Sequence, residues 1–290
     1  MLASAAATFE QIARLADPSV NARFLQQLPA GQASAFARAN LARRMGDIAA
    51  AREALAEHLG DVLHPWSAVP PRLTSHGGSC LVPLVVIDQF LPVERMQALH
   101  RHACSRAEHF RHALATNEDA EPEYDPERRE TLLDYGFTLE RDQFLGFIND
   151  NLAVLGDLLG VDPFTVERHE IKLSNHVDGG FFKPHGDSHV PFAEAGRAIS
   201  WLYYFGDEVP RFSGGELYAI DGQPLQQQTS PAWFTTVVPR ANRFVAFPSW
   251  FYHAVAPTRL PGNAFAHGRM AVSGHVRKAA GGGSGWWEQG

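Results

Sequence analysis

Two residues that lie two positions apart, His185 and Asp187, have the side chains and the spacing of metal ligands. In an extended segment both side chains leave the same face, so an imidazole nitrogen and a carboxylate oxygen can bind one ion. The spacing alone is a weak signal, because the chain has 14 histidines and repeats the pattern at His176 and Asp178. The flanking residues must therefore decide between the two pairs.

The residues that follow each aspartate indicate which of the two pairs is the better candidate for metal binding. Two glycines follow Asp178, and an aspartate before glycine is typical of a turn in which the carboxylate bonds the backbone. We therefore predict His185 and Asp187 as the ligands, at the mouth of a hairpin, with His176 opposite on the preceding strand. His176 is then either a neighbour of the site or a core histidine with satisfied hydrogen bonds.

A third ligand is expected from a strand that returns much later, and His253 lies in an apolar run after a Pro-Ser turn. Its rivals are His267 and His275. Two histidines and one carboxylate can hold Fe(II) on one face and leave positions open for a chelating cosubstrate and dioxygen. Sixteen residues after His253, Arg269 enters an alternating strand. An inward arginine there needs an anion such as a dicarboxylate, whereas the alternative is a surface arginine on an edge strand.

The elements that position these residues fall into two regions. Residues 1–66 are alanine-rich with apolar residues at helical spacing, which predicts an N-terminal helical segment. Within it, residues 39–55 resemble one tetratricopeptide-type helix pair, which cannot bury its own face and must pack on something else. The alternative is a plain alanine-rich helical cap. Residues 281–290 are expected to form a flexible tail.

The remaining residues, 67–280, predict a domain that is mainly β with flanking helices, a double-stranded β-helix or jelly roll. After a linker at 64–71, a strand is expected at 81–87 and helices at 92–114 and 140–159, with a long acidic loop at 115–130 between them. Eight further strands are expected at 166–173, 181–184, 198–205, 216–220, 233–238, 243–247, 253–256 and 269–277.

Composition limits the classes of function. The net charge of −7 and the pI near 6.0 argue against nucleic acid as a partner. No apolar run is long enough to span a bilayer, and no basic leader precedes an apolar core, so neither a membrane protein nor a secreted one is expected. Two cysteines in 290 residues are too few for a disulfide framework. We therefore expect a protein of the cytoplasm.

In this order, His185, Asp187, His253 and Arg269 resemble the Fe(II)- and 2-oxoglutarate-dependent dioxygenases, in particular their prolyl-4-hydroxylase-like branch. The resemblance covers roughly residues 80–278 and extends to the glycine–aromatic lead-in before the first ligand, a tyrosine-bearing strand and a Gly-Gly-Glu-Leu turn. These are the segments 179–187, 197–207 and 213–217.

The resemblance implies a cofactor set and a role for each matching residue. The metal ligands would be His185, Asp187 and His253, with Arg269 completing the catalytic set. The cofactors would be Fe(II), 2-oxoglutarate and dioxygen, with ascorbate as a stimulant. The 2-oxoglutarate contacts would be Arg269, Tyr204, Leu217, His176 and Ser273. Because Asp187 stands where related halogenases have a small residue, hydroxylation is favoured over halogenation.

Two departures from the family pattern affect these roles. His176 stands where many relatives have a tyrosine, so its contact with the cosubstrate differs. The interval from His253 to Arg269 is longer than usual and contains Arg259, which is a second candidate for the carboxylate anchor.

The expected reaction is hydroxylation of an unactivated C–H bond, with release of succinate and CO2. The substrate would be an amino-acid residue, prolyl or other, in a peptide, or a free amino acid or small natural product. The acidic 115–130 loop would suit a cationic substrate, or is simply a solvated surface loop, and the N-terminal helices could join two copies in a homodimer.

Two other classes of function stay open. One is a cupin-type metal enzyme that uses a histidine cluster without a keto acid; Arg269 and Tyr204 argue against it. Its histidines would be His176, His185, His189 and His253. The other is a non-catalytic sensor of iron or 2-oxoglutarate.

Overall fold

The structure, a computed structural model, describes residues 2–60, 63–70, 81–114, 123–188, 196–223 and 228–279. The helices are α1 Leu2–Leu15, α2 Pro18–Gln27, α3 Gln32–Met45, α4 Ile48–Leu59, α5 Val93–Ser105, α6 Arg141–Asp150 and α7 Leu152–Leu159. The strands are β1 Ser67–Val69, β2 Leu84–Asp88, β3 Arg111–His112, β4 Arg129–Glu130, β5 Leu132–Asp134, β6 Val166–His176, β7 Phe181–His185, β8 Arg197–Phe205, β9 Ser213–Gly214, β10 Leu217–Gln223, β11 Gln228–Val237, β12 Arg243–Pro248, β13 His253–Val255, β14 Thr258–Arg259 and β15 Arg269–Lys278.

Two antiparallel sheets build the β domain. The larger sheet has the order β1-β2-β12-β8-β15-β6-β5-β3, and the smaller has the order β11-β10-β13-β7-β4. Short β9 and β14 pair separately. With the flanking helices, this confirms the predicted fold, a mainly antiparallel β domain of the double-stranded β-helix type with an N-terminal helical segment.

Successive side chains of β8 point to opposite faces of the larger sheet. Trp201 and Tyr203 face the helices, where Phe144 of α6 lies with its ring 5.7 Å and 5.0 Å from theirs. Ser200 and Leu202, at the intervening positions, line an internal cavity. The larger sheet therefore presents an aromatic face to α5–α7 and a mixed polar face to the smaller sheet.

Two of the crossings from the larger sheet to the smaller lie beside the candidate ligands. β6 pairs with β5 and β15, whereas β7 pairs with β4 and β13. The predicted hairpin between His176 and His185 is therefore wrong, because the two strands lie in different sheets. At the crossing Gly180 packs on His176, where an added Cβ would lie 2.8 Å from the histidine Cβ. The second crossing, from β12 to β13, carries His253 back as predicted.

The N-terminal helices pack on the outer face of the smaller sheet. The α3–α4 pair is tied to β10 and β11 by Arg43, which donates to both carboxylate oxygens of Asp221, at 2.6 and 2.8 Å, and to Thr235. From α1, Ile12 packs with Tyr218 of β10. This sheet is thus the surface on which the helix pair buries its apolar face. No helix in the described part of the chain has the length and apolarity needed to cross a bilayer.

Two predicted helices end early. The helix expected at 92–114 stops at Ser105, because Arg106 turns away to bond Asp134 of β5, at 2.5 and 3.0 Å. The helix expected at 140–159 is divided at Asn151, whose side-chain amide donates to Phe147 O at 2.8 Å and competes with the backbone.

Smaller differences affect the strands. The linker at 64–71 contains β1, and the strand expected at 81–87 begins at Leu84. Of the acidic loop, residues 115–122 lie outside the described residues, while β4 occupies its end. The tail expected at 281–290 also lies outside the described residues.

Candidate metal centre and cavity

Three side chains of the predicted site converge at one end of the smaller sheet. His185 ends β7 and lies directly opposite His253, the first residue of β13. Asp187 follows two residues later, and its backbone N–H donates to Ser249 O at 2.9 Å. One ligand atom from each of the three side chains lies within 4.8 Å of the others, an arrangement that could hold a metal ion.

The hydrogen bonds of the two imidazoles leave the correct nitrogen free for a metal. Nδ1 of His185 lies 2.8 Å from Lys183 O, and Nδ1 of His253 lies 3.1 Å from Phe251 O. A carbonyl accepts from an N–H, so each Nδ1 carries the proton and each Nε2 keeps its lone pair. These Nε2 atoms point at Asp187, 3.6 Å and 3.4 Å from its carboxylate oxygens. The donor set therefore fits Fe(II) bound on one face.

Burial keeps the first imidazole neutral. Burial and then the neighbouring His253 lower the pKa of His185 to about 4, while the hydrogen bond and charge of Asp187 act in the opposite direction. A neutral imidazole is the form that binds a metal, so His185 is ready to coordinate without first losing a proton.

A second layer of polar groups orients the carboxylate. Ser200 Oγ donates to Asp187 Oδ2 at 2.6 Å, and it lies 2.9 Å from Ser249 Oγ and 3.1 Å from Nδ1 of His275. His275, one of the two rivals for the third ligand position, is thus buried beside Asp187 and bonds the serine that holds it. The other rival, His267, bonds Asp207 at 2.8 Å and lies away from the triad.

A cavity of about 470 Å³ lies between the two sheets next to the triad. Leu217, Ser273, His176 and Arg269 all line it, as the family resemblance suggested, while Tyr204 does not. Tyr204 lies behind Arg269, and its hydroxyl accepts a hydrogen bond from the guanidinium at 3.1 Å. The structure therefore brings four of the five predicted cosubstrate contacts to the cavity surface and the fifth to the back of Arg269.

Arg269 is buried among neutral partners. It donates from Nε to Gly215 O at 2.8 Å, its Nη1 lies 3.3 Å from Nδ1 of His176, and only 1% of the residue is exposed. Burial and Arg269 itself hold the pKa of His176 well below its ordinary value, so that imidazole adds no charge. Among the described residues Arg269 makes no ion pair, and Glu216 acts on it only at longer range. Its positive charge is therefore available to an anion in the cavity.

Other candidates from the sequence lie elsewhere. Arg259 is exposed on β14 and does not line the cavity. Asp178 accepts a hydrogen bond from the backbone N–H of Leu260 at 2.7 Å, so it stabilises a loop contact. His189, one of the cupin-type cluster, lies outside the described residues.

Sequence reasoning missed four cationic residues of the cavity, which are Lys172, Arg128, Arg129 and Arg197. A signal existed for the first, because Lys172 alternates with Ser174 and His176 and must share their face of β6. No local signal existed for the arginines, since their positions depend on strand pairing and on a loop.

Comparison with known proteins finds similar sequences. Residues 171–277 match the sequence profile described as the 2OG-Fe(II) oxygenase superfamily. Over 132 residues the chain is 35% identical to a protein from Synechocystis sp. described as an uncharacterized PKHD-type hydroxylase. That alignment covers 45% of this chain and 43% of the relative, so the match spans less than half of either protein.

A solved structure shows a similar fold. A prolyl-4-hydroxylase from Pseudomonas putida superimposes with a TM-score of 0.50 at 20% identity, over 68% of this chain and 92% of that one. A prolyl hydroxylase from Trichoplax adhaerens, solved with a hypoxia inducible factor peptide fragment, matches with a TM-score of 0.48 at 16% identity, over 67% and 83%. At these identities the likeness concerns the fold alone.

Proposed function

We propose that this chain is a 2OG-Fe(II) oxygenase similar to the prolyl-4-hydroxylase-like branch, and that it hydroxylates an unactivated C–H bond and releases succinate and CO2. The observation that carries the proposal is the position of the His185, Asp187 and His253 cluster on the wall of a cavity that also contains the buried cation of Arg269. A cupin-type enzyme without a keto acid would have no use for that cation.

The proposed metal ligands are the Nε2 atoms of His185 and His253 and one carboxylate oxygen of Asp187. When bound, the iron would supply the redox chemistry that links decarboxylation of 2-oxoglutarate to oxidation of the substrate. The protein holds both imidazoles by backbone carbonyls and the carboxylate by Ser200, so the ligands are oriented before the ion arrives.

Arg269 would bind the distal carboxylate of 2-oxoglutarate. Its guanidinium is fixed by Gly215 O and by Tyr204, and these neutral partners orient it without cancelling its charge. Gly215 is required there, because an added Cβ would lie 3.2 Å from Arg269 Cγ. A charge-assisted bond from a fixed donor holds the cosubstrate in one orientation, which leaves the rest of the cavity to the substrate.

The test is formation of succinate from 2-oxoglutarate, followed by NMR, in the presence of Fe(II) and dioxygen and with peptides and free amino acids as trial substrates. Wild-type protein should form succinate, and His185→Ala and His253→Ala should form none above background. His58→Ala, an exposed histidine on α4, is the matched control and should retain wild-type activity. Equal succinate formation by wild type and His185→Ala would contradict the proposed site.

The substrate class within this reaction is also a proposal: an amino-acid residue in a peptide, prolyl or other, or a free amino acid or small natural product. Stimulation by ascorbate is checked by adding it to the same assay. A homodimer formed through α1–α4 is checked by measuring the molar mass in solution by light scattering. A mass equal to one chain would exclude the dimer.

A further inference from the structure

Besides Arg269, four cationic side chains line the cavity: Arg128, Arg129, Lys172 and Arg197. Of these, Arg129 of β4 and Lys172 of β6 matter here, and Lys172 lies at a distance from Arg269. The register of β6 and β15 fixes that distance: Lys172 lies opposite Ser273, whereas His176 lies opposite Arg269. Four residues along a strand correspond to about 13 Å, so Lys172 stands well away from Arg269. The charge of Arg129 acts on both Lys172 and His176.

Arg129 is held in place without being neutralised. It lies opposite Phe182 in the β4–β7 pair, and its guanidinium stacks over that ring at 4.4 Å from the centroid. Its Nε is buried without a hydrogen-bond partner, and within the described ranges the side chain forms no ion pair. Stacking leaves the edge of a guanidinium free to donate, which is the geometry that binds a carboxylate or phosphate through two parallel hydrogen bonds.

Lys172 is the second such cation. Its ammonium group makes neither a hydrogen bond nor an ion pair with any residue that the structure describes, and the charges that act on it include Arg129 and Arg197. Burial and then Arg129 lower the pKa of Lys172 to about 8, so the ammonium is still mostly protonated at neutral pH. Two neighbouring cations in an enclosed space repel each other, and a bound anion would relieve that repulsion.

The two carboxylates that act on Lys172 among the described residues, Asp187 and Glu170, are already engaged. Glu170 bonds Arg197 at 2.8 Å and Arg277 at 3.1 Å, so one carboxylate serves two guanidinium groups. Asp187 is committed to the metal cluster. Lys172 and Arg129 are half-buried charges for which the described residues supply no counter-ion. Because partial desolvation makes such a charge unfavourable, they point to a ligand rather than to stability of the fold.

We propose that Lys172 and Arg129 bind an anionic group of the substrate, a carboxylate or a phosphate, and so place a neighbouring C–H bond beside the metal cluster. This inference rests on the proposed function, in which one carboxylate of 2-oxoglutarate goes to the metal and the other to Arg269. It also reverses the expectation of a cationic substrate, because the described end of the acidic loop gives arginines to the cavity.

The experiment is calorimetric titration of the anaerobic protein, saturated with Fe(II) and 2-oxoglutarate, at constant ionic strength. The two probes are inorganic phosphate and N-acetyl-L-glutamate, and the uncharged reference is N-acetyl-L-glutaminamide. At least one anionic probe should bind and the reference should not. The probe that binds more tightly distinguishes a phosphate-bearing substrate from a carboxylate-bearing one.

Two variants, Lys172→Met and Arg129→Gln, keep side-chain bulk while removing one charge each. Each should weaken probe binding by about tenfold or more, the loss of one charge-assisted contact. The control Arg240→Gln removes an exposed arginine outside the cavity and should bind as wild type does. Because the substitutions remove half-buried charges that have no counter-ion among the described residues, thermal unfolding of both variants should occur at or above the wild-type temperature.

Three results would overturn the inference. One is unchanged probe binding in both variants, and another is no binding of either probe to wild type. The third is a tenfold loss of 2-oxoglutarate affinity in Lys172→Met with probe binding intact, which would assign the cation to the cosubstrate. Failure of the proposed function looks different: the wild type would then bind an anionic probe but not 2-oxoglutarate.

Discussion

Arg43 and Arg269 are buried to the same extent, at 0% and 1% exposed, yet their surroundings differ in one respect. Arg43 donates to both carboxylate oxygens of Asp221, with Thr235 and Asn40 completing its hydrogen bonds. Arg269 has a carbonyl, a phenol and a neutral imidazole around it, and no ion pair among the described residues. The first arginine is electrically balanced and the second is not.

The difference separates structural cations from binding cations. A balanced buried pair connects elements, and here it ties the N-terminal helices to the smaller sheet. A buried cation oriented by neutral groups retains its field, so it attracts an anion from outside the chain. Lys172 and Arg129 resemble Arg269 in having no ion pair among the described residues, although they are half-buried and no hydrogen bond to a described residue fixes them.

The largest effect is expected at the balanced pair. Arg43→Met leaves Asp221 buried without its cation, which should lower the free energy of unfolding by about 3–5 kcal/mol. Urea denaturation measures this, and 2-oxoglutarate affinity of the folded fraction should stay at the wild-type value. A loss below about 1 kcal/mol would show that Arg43 is not a structural cation.

The next largest effect is expected at Arg269, where substitution should reduce 2-oxoglutarate affinity and leave stability intact. Arg269→Met should leave the free energy of unfolding unchanged or slightly higher, because it removes a buried charge without a partner. Affinity for 2-oxoglutarate should fall by about 1.5–3 kcal/mol, the contribution of hydrogen bonds to a charged group, or about 10–150-fold. Calorimetry and urea denaturation measure both quantities, and a large loss of stability with intact affinity would reverse the assignment.

A smaller effect is expected from a substitution that removes a hydrogen bond to a proposed metal ligand and leaves the anion sites unchanged. Ser200→Ala removes the hydrogen bond to Asp187 Oδ2 and should lower Fe(II) affinity by about 10–100-fold. The proposed contact between Arg269 and 2-oxoglutarate is left in place. Metal titration under anaerobic conditions measures the Fe(II) affinity. Wild-type iron affinity in this variant would mean that the serine does not orient the carboxylate.

The smallest effects come from the matched hydroxyl groups behind the two arginines. Tyr204→Phe and Thr235→Val each remove one neutral hydrogen bond, worth about 1 kcal/mol. The first should weaken 2-oxoglutarate binding about fivefold with little change in stability, and the second should lower stability with little change in binding. If Tyr204→Phe alters only stability, the phenol belongs to the core and not to the cosubstrate site.

Much of the fold could be predicted because alternation and turn residues are local signals. The pair His185 and Asp187 could be preferred over the pair at His176 because glycine after Asp178 indicates a turn, and the structure gathers the preferred pair with His253. Helix ends were less predictable: Arg106 and Asn151 end helices through hydrogen bonds to groups that helical periodicity does not reveal.

The electrostatic character of the cavity could not be predicted in the same way. Net charge is −7, and the acidic loop before β4 would suit a cationic substrate or is simply a solvated surface loop. Whether a cation is balanced depends on which carboxylate the fold brings to it, and Asp221 reaches Arg43 across 178 positions of sequence. Such pairings follow from topology, so only the structure distinguishes Arg43 from Arg269.

The most direct test of the proposed site is an anaerobic titration of Fe(II)-loaded protein with 2-oxoglutarate, following the visible metal-to-ligand charge-transfer band. The band should appear in wild type, be absent in His185→Ala, and require at least tenfold more 2-oxoglutarate in Arg269→Met. In the control His58→Ala it should match wild type. Tight iron binding by the wild type with no band at any 2-oxoglutarate concentration would contradict the proposal.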